Sequence, residues 1–139
     1  MTGEPIEGQV LLLTAAKASV PATRLPELVE RAQAHLADEL ERYRREYERV
    51  YVDDATDHDD ETDRLESFLV DWGHWETVGE TVGFDERELS AVRRAHEEQL
   101  LRIGRRIDRE EEFETALEIR EPVLIGIEGG ATDDREPWT

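Results

Sequence analysis

Apolar residues recur along this chain at steps of three and four with polar residues between them, so most of it reads as amphipathic helix. The longest stripe is Leu25, Leu28, Val29, Ala32, Leu36, Leu40, Tyr43, Tyr47 and Val50, and Glu30, Arg31, Asp38, Glu39, Glu41, Arg42, Arg45 and Glu46 lie outside it. Pro26 falls in its first turn, where a missing amide costs nothing. The pattern predicts one helix from Pro26 to about Val50. A second stripe runs through Leu89, Val92, His96, Leu100, Ile103 and Ile107, then less regularly through Phe113, Ala116 and Leu117. It predicts a helix from Glu86 to about Glu118. Asp85 and Glu88 have capping-box spacing at its start, and Phe84 and Leu89 occupy the two staple positions. Glu121-Pro122 closes it, because a residue before proline avoids the α region.

The remaining segments are shorter. Gly8–Ser19 fits a short helix or a strand and is broken by Val20-Pro21-Ala22-Thr23. Leu65, Phe68, Leu69 and Trp72 predict a helix capped by Thr62 or Asp63, bent at Gly73 before His74–Val78. Val123–Ile127 reads as a short strand or a packed extended arm. The run DDATDHDDETD over 53–63 predicts a mobile polar loop, and 128–139 a disordered tail unless Trp138 docks. The expected fold class is therefore mainly all-α: one domain over 1–127, a compact bundle of two long helices covered by the Leu65–Val82 helices. A minor β strand near 123–127 is the only exception. Both long stripes are near-heptad, as in helices that pair within a bundle or across a dimer.

Composition changes the picture of the solvent rather than of the fold. The formal net charge is −19 and charged residues make up 38%. Such an acid excess opposes collapse in dilute buffer. Lys17 is the only lysine among the 17 basic residues, the rest being arginine. An acidic, lysine-poor surface is expected of a salt-adapted protein: at molar ionic strength the Debye length is roughly 3 Å, and the self-repulsion is screened. Arginine is more weakly hydrated than lysine and pairs with carboxylates as a planar fork. The chain has no cysteine, which removes disulfides, thiolate metal sites and thiol catalysis. Val10–Leu13 is too short to span a bilayer, and only Glu4 and Glu7 carry charge before it, the reverse of a secretion signal. A soluble cytoplasmic protein without a membrane partner is expected.

Catalytic chemistry finds no support. The acidic run around His58 fails the EF-hand pattern, with no glycine at the turning position and no closing glutamate. His96-Glu97-Glu98-Gln99-Leu100 lacks the second histidine of a zinc helix. Asp71 and His74 have the i, i+3 spacing of one arm of a di-metal bundle, and no second arm exists. His96 lies on an apolar stripe, where a core histidine bonded to one partner is the ordinary outcome. Gly126, Gly129 and Gly130 have the wrong spacing for a dinucleotide fingerprint, and neither a phosphate loop nor a nucleophile elbow is present. No metal, cofactor or enzymatic activity is expected.

The segment ETVGETVGFDERELSAVRR, from Glu76 to Arg94, is more informative. Val78, Gly79, Val82, Gly83, Phe84, Leu89 and Val92 stand at the relative positions of a helix-turn-helix, which it resembles over about twenty residues. Gly79 would allow close helix approach and Gly83 the turn. Arg87, Ser90, Arg93 and Arg94 then become candidate DNA- or partner-binding positions. From Asp85 to Arg109 the arginines 87, 93, 94, 102, 105, 106 and 109 balance the acids, the least acidic long stretch of the chain. Against DNA, Asp85, Glu86 and Glu88 occupy the leading end of the would-be recognition helix, where bases are read. Trp72, Trp75 and Phe84, with Tyr43, Tyr47 and Tyr51, are expected in the core, and any left exposed would mark a partner surface. The leading expectation is a non-enzymatic interaction or assembly protein that self-associates as a homo-oligomer. A helix-turn-helix regulator of DNA is the alternative.

Overall fold

In the computed structural model, residues 6–53 and 63–128 are described. Their order is α1 (Gly8–Ala18), α2 (Arg24–Asp38), α3 (Leu40–Glu46), β1 (Glu48–Asp53), β2 (Asp63–Asp71), α4 (His74–Val82), α5 (Glu86–Arg106), α6 (Glu110–Leu117) and β3 (Arg120–Glu128). The three strands form one antiparallel sheet in the order β1-β2-β3. β2 and β3 pair without interruption from Asp63↔Glu128 to Asp71↔Arg120, whereas the β1–β2 register shifts between Arg49 and Tyr51. Helix α5 is the spine, packed against α1, α2, α4, α6 and β3.

The fold is thus α+β, and the two-long-helix bundle is corrected in three places. The stripe from Leu25 to Val50 does not run as one helix. It breaks at Glu39, resumes as α3 and ends at Glu46, and Val50-Tyr51-Val52 joins β1. Those β-branched and aromatic residues suit a pleated surface better than a helix. Leu65–Trp72 is not a helix: Asp63–Asp71 is the central strand. Phe68, Leu69 and Val70 are all buried, and a strand buried on both faces has no alternation to distinguish it from an apolar helical turn. The helix from Glu86 also stops early. Asp108 takes a left-handed φ of 64°, and α6 starts afresh beyond it. The strand expected near 123–127 exists and is longer, 120–128.

Other expectations hold. Gly8–Ala18 resolves as helix, Pro26 sits in the first turn of α2, and the α5 capping box makes both of its hydrogen bonds. Leu25, Leu28, Leu36, Phe68, Trp75, Leu100, Phe113, Leu124 and Ile125 close the core between sheet and helices. Each such side chain contributes roughly 1.5–3 kcal/mol by leaving water. Among the described residues no helix is long and apolar enough to cross a membrane. The greater part of the acidic run, 54–62 with His58, and the tail beyond Glu128 with Trp138, lie outside the described residues.

Candidate interaction surface

The α4–α5 hairpin forms where the glycine pattern places it. A Cβ on Gly79 would lie 3.1 Å from Leu89 Cδ1, so the close approach of the two helices is real. Gly83 ends α4 at φ +84°, and the amides of Gly83 and Phe84 both donate to the Gly79 carbonyl. Val78 and Val92 are buried, and Val82, Phe84 and Leu89 are half-buried. Arg31 of α2 locks the turn from outside, donating to the Val82 carbonyl at 2.6 Å and lying 5.1 Å from the Phe84 ring centroid.

The balanced arginines of α5 are mostly committed within the fold. Arg102 and Arg106 bind the Glu7 carboxylate, and Gln99 exchanges two hydrogen bonds with Glu7. Burial works to raise the Glu7 carboxyl, but Gln99 and the two guanidiniums hold it below its ordinary value. Arg105 pairs with Glu110, and Arg109 with Glu112 and the Val50 carbonyl. Arg93 lies 3.9 Å from Glu97 and 4.0 Å from the buried Glu121. Ser90 is half-buried, while Arg87 and Arg94 are exposed and make no ion pair among the described residues.

Several buried polar groups are tied to the backbone of β3. β3 has β2 on one side only, yet its other edge is sealed by side chains. Gln33 of α2 donates to the Leu124 carbonyl and accepts from the Gly126 amide. His96 Nδ1 accepts from the Leu124 amide at 3.0 Å, and Trp75 Nε1 donates to the Pro122 carbonyl at 2.8 Å. The Nδ1 acceptor role places the ring proton on Nε2, and burial depresses the His96 pKa to about 3. His96 is therefore the core histidine that its stripe position implied.

Two buried carboxylates are used the same way. Glu121 crosses from β3 to the start of α4, where it accepts from the Gly73 and Trp75 amides, negative charge at the positive end of a helix. Glu121→Ala is expected to cost roughly 2 kcal/mol, because it strands the buried Trp75 amide and the half-buried Gly73 amide. A urea midpoint at matched salt checks this, and a loss below about 0.5 kcal/mol would rule the cap out. Glu66, wholly buried on β2, receives two hydrogen bonds from Arg44 and one from Arg49, with Arg64 at 3.8 Å. Burial pushes its pKa up, but Arg44 and then Arg49 outweigh that and hold it low. Half-buried His74 meets the Tyr43 hydroxyl at 2.5 Å, and burial lowers its pKa. The available signals were a lone acid inside each apolar run, L-E-S-F-L-V and R-E-P-V-L-I, and Gln33 on the α2 stripe.

An open cleft of about 440 Å³ lies beside α6, lined by Asp108, Arg109, Glu110, Glu111, Glu112 and Glu114. Among the described residues no cluster of three or more His, Asp or Glu could hold a metal ion. The surface has another distinctive feature. Leu12 is 60% exposed, Leu13 55%, Trp72 63% and Ile119 71%. Leu12 and Leu13 adjoin on α1. Trp72 and Ile119 each lie one position beyond the last β2–β3 pair, Asp71↔Arg120.

Residues 4–127, nearly the whole chain, match the family described as Domain of unknown function (DUF8048), and the chain belongs to it. No curated protein and no solved structure matches the chain.

Proposed function

We propose that this member of the DUF8048 family is a salt-adapted, non-enzymatic interaction domain of the cytoplasm, binding protein partners through exposed apolar side chains. One observation carries the reading: four large apolar residues, in two adjacent pairs, stand exposed on a surface dominated by carboxylates. Exposed apolar groups are ordinary when scattered singly and mark contact surfaces when grouped. The buried Glu66, Glu121 and His96 are meanwhile spent on backbone amides and arginines. Salt adaptation rests on the −19 charge and the arginine-for-lysine bias.

A helix-turn-helix regulator of DNA is the second reading, favoured by Arg87 and Arg94 standing exposed on α5. Two features weigh against it. Five elements pack on α5, and Asp85 and Glu88 at its leading end are locked in the capping box, with Glu88 also paired to Arg24.

The test is retention from cytosol in molar KCl, with the eluate scored for protein and for nucleic acid. We expect specific protein, lost on combined Leu12→Ser, Leu13→Ser, Trp72→Ala and Ile119→Ala substitution. Nucleic acid that disappears in an Arg87→Ala, Arg93→Ala, Arg94→Ala variant would overturn the reading in favour of DNA.

A further inference from the structure

We infer that the outer face of α1 is where two copies of this chain meet, packed antiparallel about a two-fold axis; this rests on the interaction reading above and names its surface. Val10, Thr14 and Ala15 turn inward, and α1 lies on α5. On the opposite side Leu12, Leu13, Ala16 and Lys17 are exposed, positions that share one helical face.

Charge selects the occupant. The chain carries 36 acids, yet the stretch from Gly8 to Pro26 contains none and includes the only lysine. In a two-fold contact residue i meets j and j meets i, so any acid in the interface is present twice, and near the axis it faces its own counterpart. Molar salt screens the −19 of a second copy at a distance but not carboxylates buried in contact, so a face without them is the one on which a second copy can seat at least cost. The other apolar pair fails this criterion, since Trp72 and Ile119 directly follow Asp71 and Glu118, both exposed. A basic partner of another kind would be drawn to the acidic surface, not to the one helix that lacks it.

The geometry suits the pairing. Antiparallel α1 helices bring opposite dipole ends together. With the axis between Leu12 and Leu13, each Leu12 lies over the other copy's Leu13, and Ala16 falls opposite Gln9. Gln9 accepts from Arg102, and Glu7 beside it is neutralised by Arg102 and Arg106. A helix of 11 residues is about 16 Å long, less than an obligate interface spans. The dimer is weak and concentration-dependent.

The experiment is sedimentation equilibrium of the full chain in molar KCl over a range of concentrations. A monomer–dimer equilibrium is expected. Leu12→Ser with Leu13→Ser should raise its dissociation constant at least about tenfold, with the far-UV spectrum unchanged because both sites are exposed. Trp72→Ala with Ile119→Ala should leave it unaltered. The cysteine-free background allows a second measurement: Leu13→Cys should form a covalent dimer on mild oxidation, and Trp72→Cys should not. A chain monomeric up to about millimolar, or a dimer indifferent to Leu12 and Leu13, overturns the α1 pairing. If such a chain still retains a protein from cytosol, the interaction reading stands and only this inference falls.

Discussion

Trp75→Ala is expected to remove about 5 kcal/mol of folding stability, enough to unfold much of the population. Trp75 is fully buried at the start of α4, with its ring 4.6 Å centroid to centroid from His96 and its Nε1 bonded to the Pro122 carbonyl. Truncating a buried tryptophan costs about 3–5 kcal/mol through lost transfer energy and the cavity left behind. The stranded carbonyl adds about 1 kcal/mol or more. Domains of this size are stable by only about 5–15 kcal/mol in total. Urea unfolding followed by far-UV circular dichroism at matched molar salt measures the loss. Trp75→Phe should recover part of the volume but not the hydrogen bond, so its loss falls between. Trp72→Ala, at an exposed site, should stay within about 0.5 kcal/mol. Equal losses at the two tryptophans would contradict this burial pattern.

The second large effect is a loss of stability on mild acidification. Burial pushes the His96 pKa down to about 3 in the folded chain, whereas the unfolded chain protonates it near 6.5. Between those values the unfolded state binds the extra proton, so stability falls as pH falls, by roughly 1.4 kcal/mol per unit. It is complete above pH 6.5. His74, also lowered by burial, acts in the same direction. Glu7, Glu66, Glu88 and Glu112 have lowered pKa values and add their losses only below about 4.5. Glu97, raised by burial and the neighbouring Glu121, opposes them just above that value. The span from pH 6.5 to 5 therefore belongs mainly to His96, with an expected loss of about 2 kcal/mol. Molar salt must be kept throughout, so that fading carboxylate repulsion does not mask the slope. His96→Gln keeps an acceptor for Leu124 and removes the titration, so its slope should shrink to the smaller part that His74 contributes. A wild-type profile already flat over this span would mean that His96 is not buried neutral.

Helix ends and turns were legible because their signals are local. Asp85 with Glu88, Gly83, and Pro26 each state a backbone requirement that no distant residue alters. The central strand β2 was not legible for the opposite reason, although the strand near 123–127 was. Phe68, Leu69 and Val70 are buried by partners on both sides of β2, and a run that is apolar throughout carries neither a helical period nor a strand period. Tyr47, in the bend that ends α3, and Val50, in β1, happened to continue the stripe of α2. Gly79 states a need for close approach locally, but that Leu89 is what approaches it emerges only from the packing, and the arginines beside it look freer in sequence than they are. Glu7 and Glu121, which meet Arg102, Arg106 and Arg93, come from distant elements, and no spacing rule connects them.

The side-chain seal along β3 has a kinetic consequence. The Leu124 and Gly126 amides are held by His96 and Gln33 rather than by a neighbouring strand. Their exchange with deuterated solvent therefore reports on whether α2 and α5 stay seated, not on fraying of the sheet. A ligand or second copy that tightens the helical layer would slow these two amides first, while those shared between β2 and β3 would keep the rate of global opening.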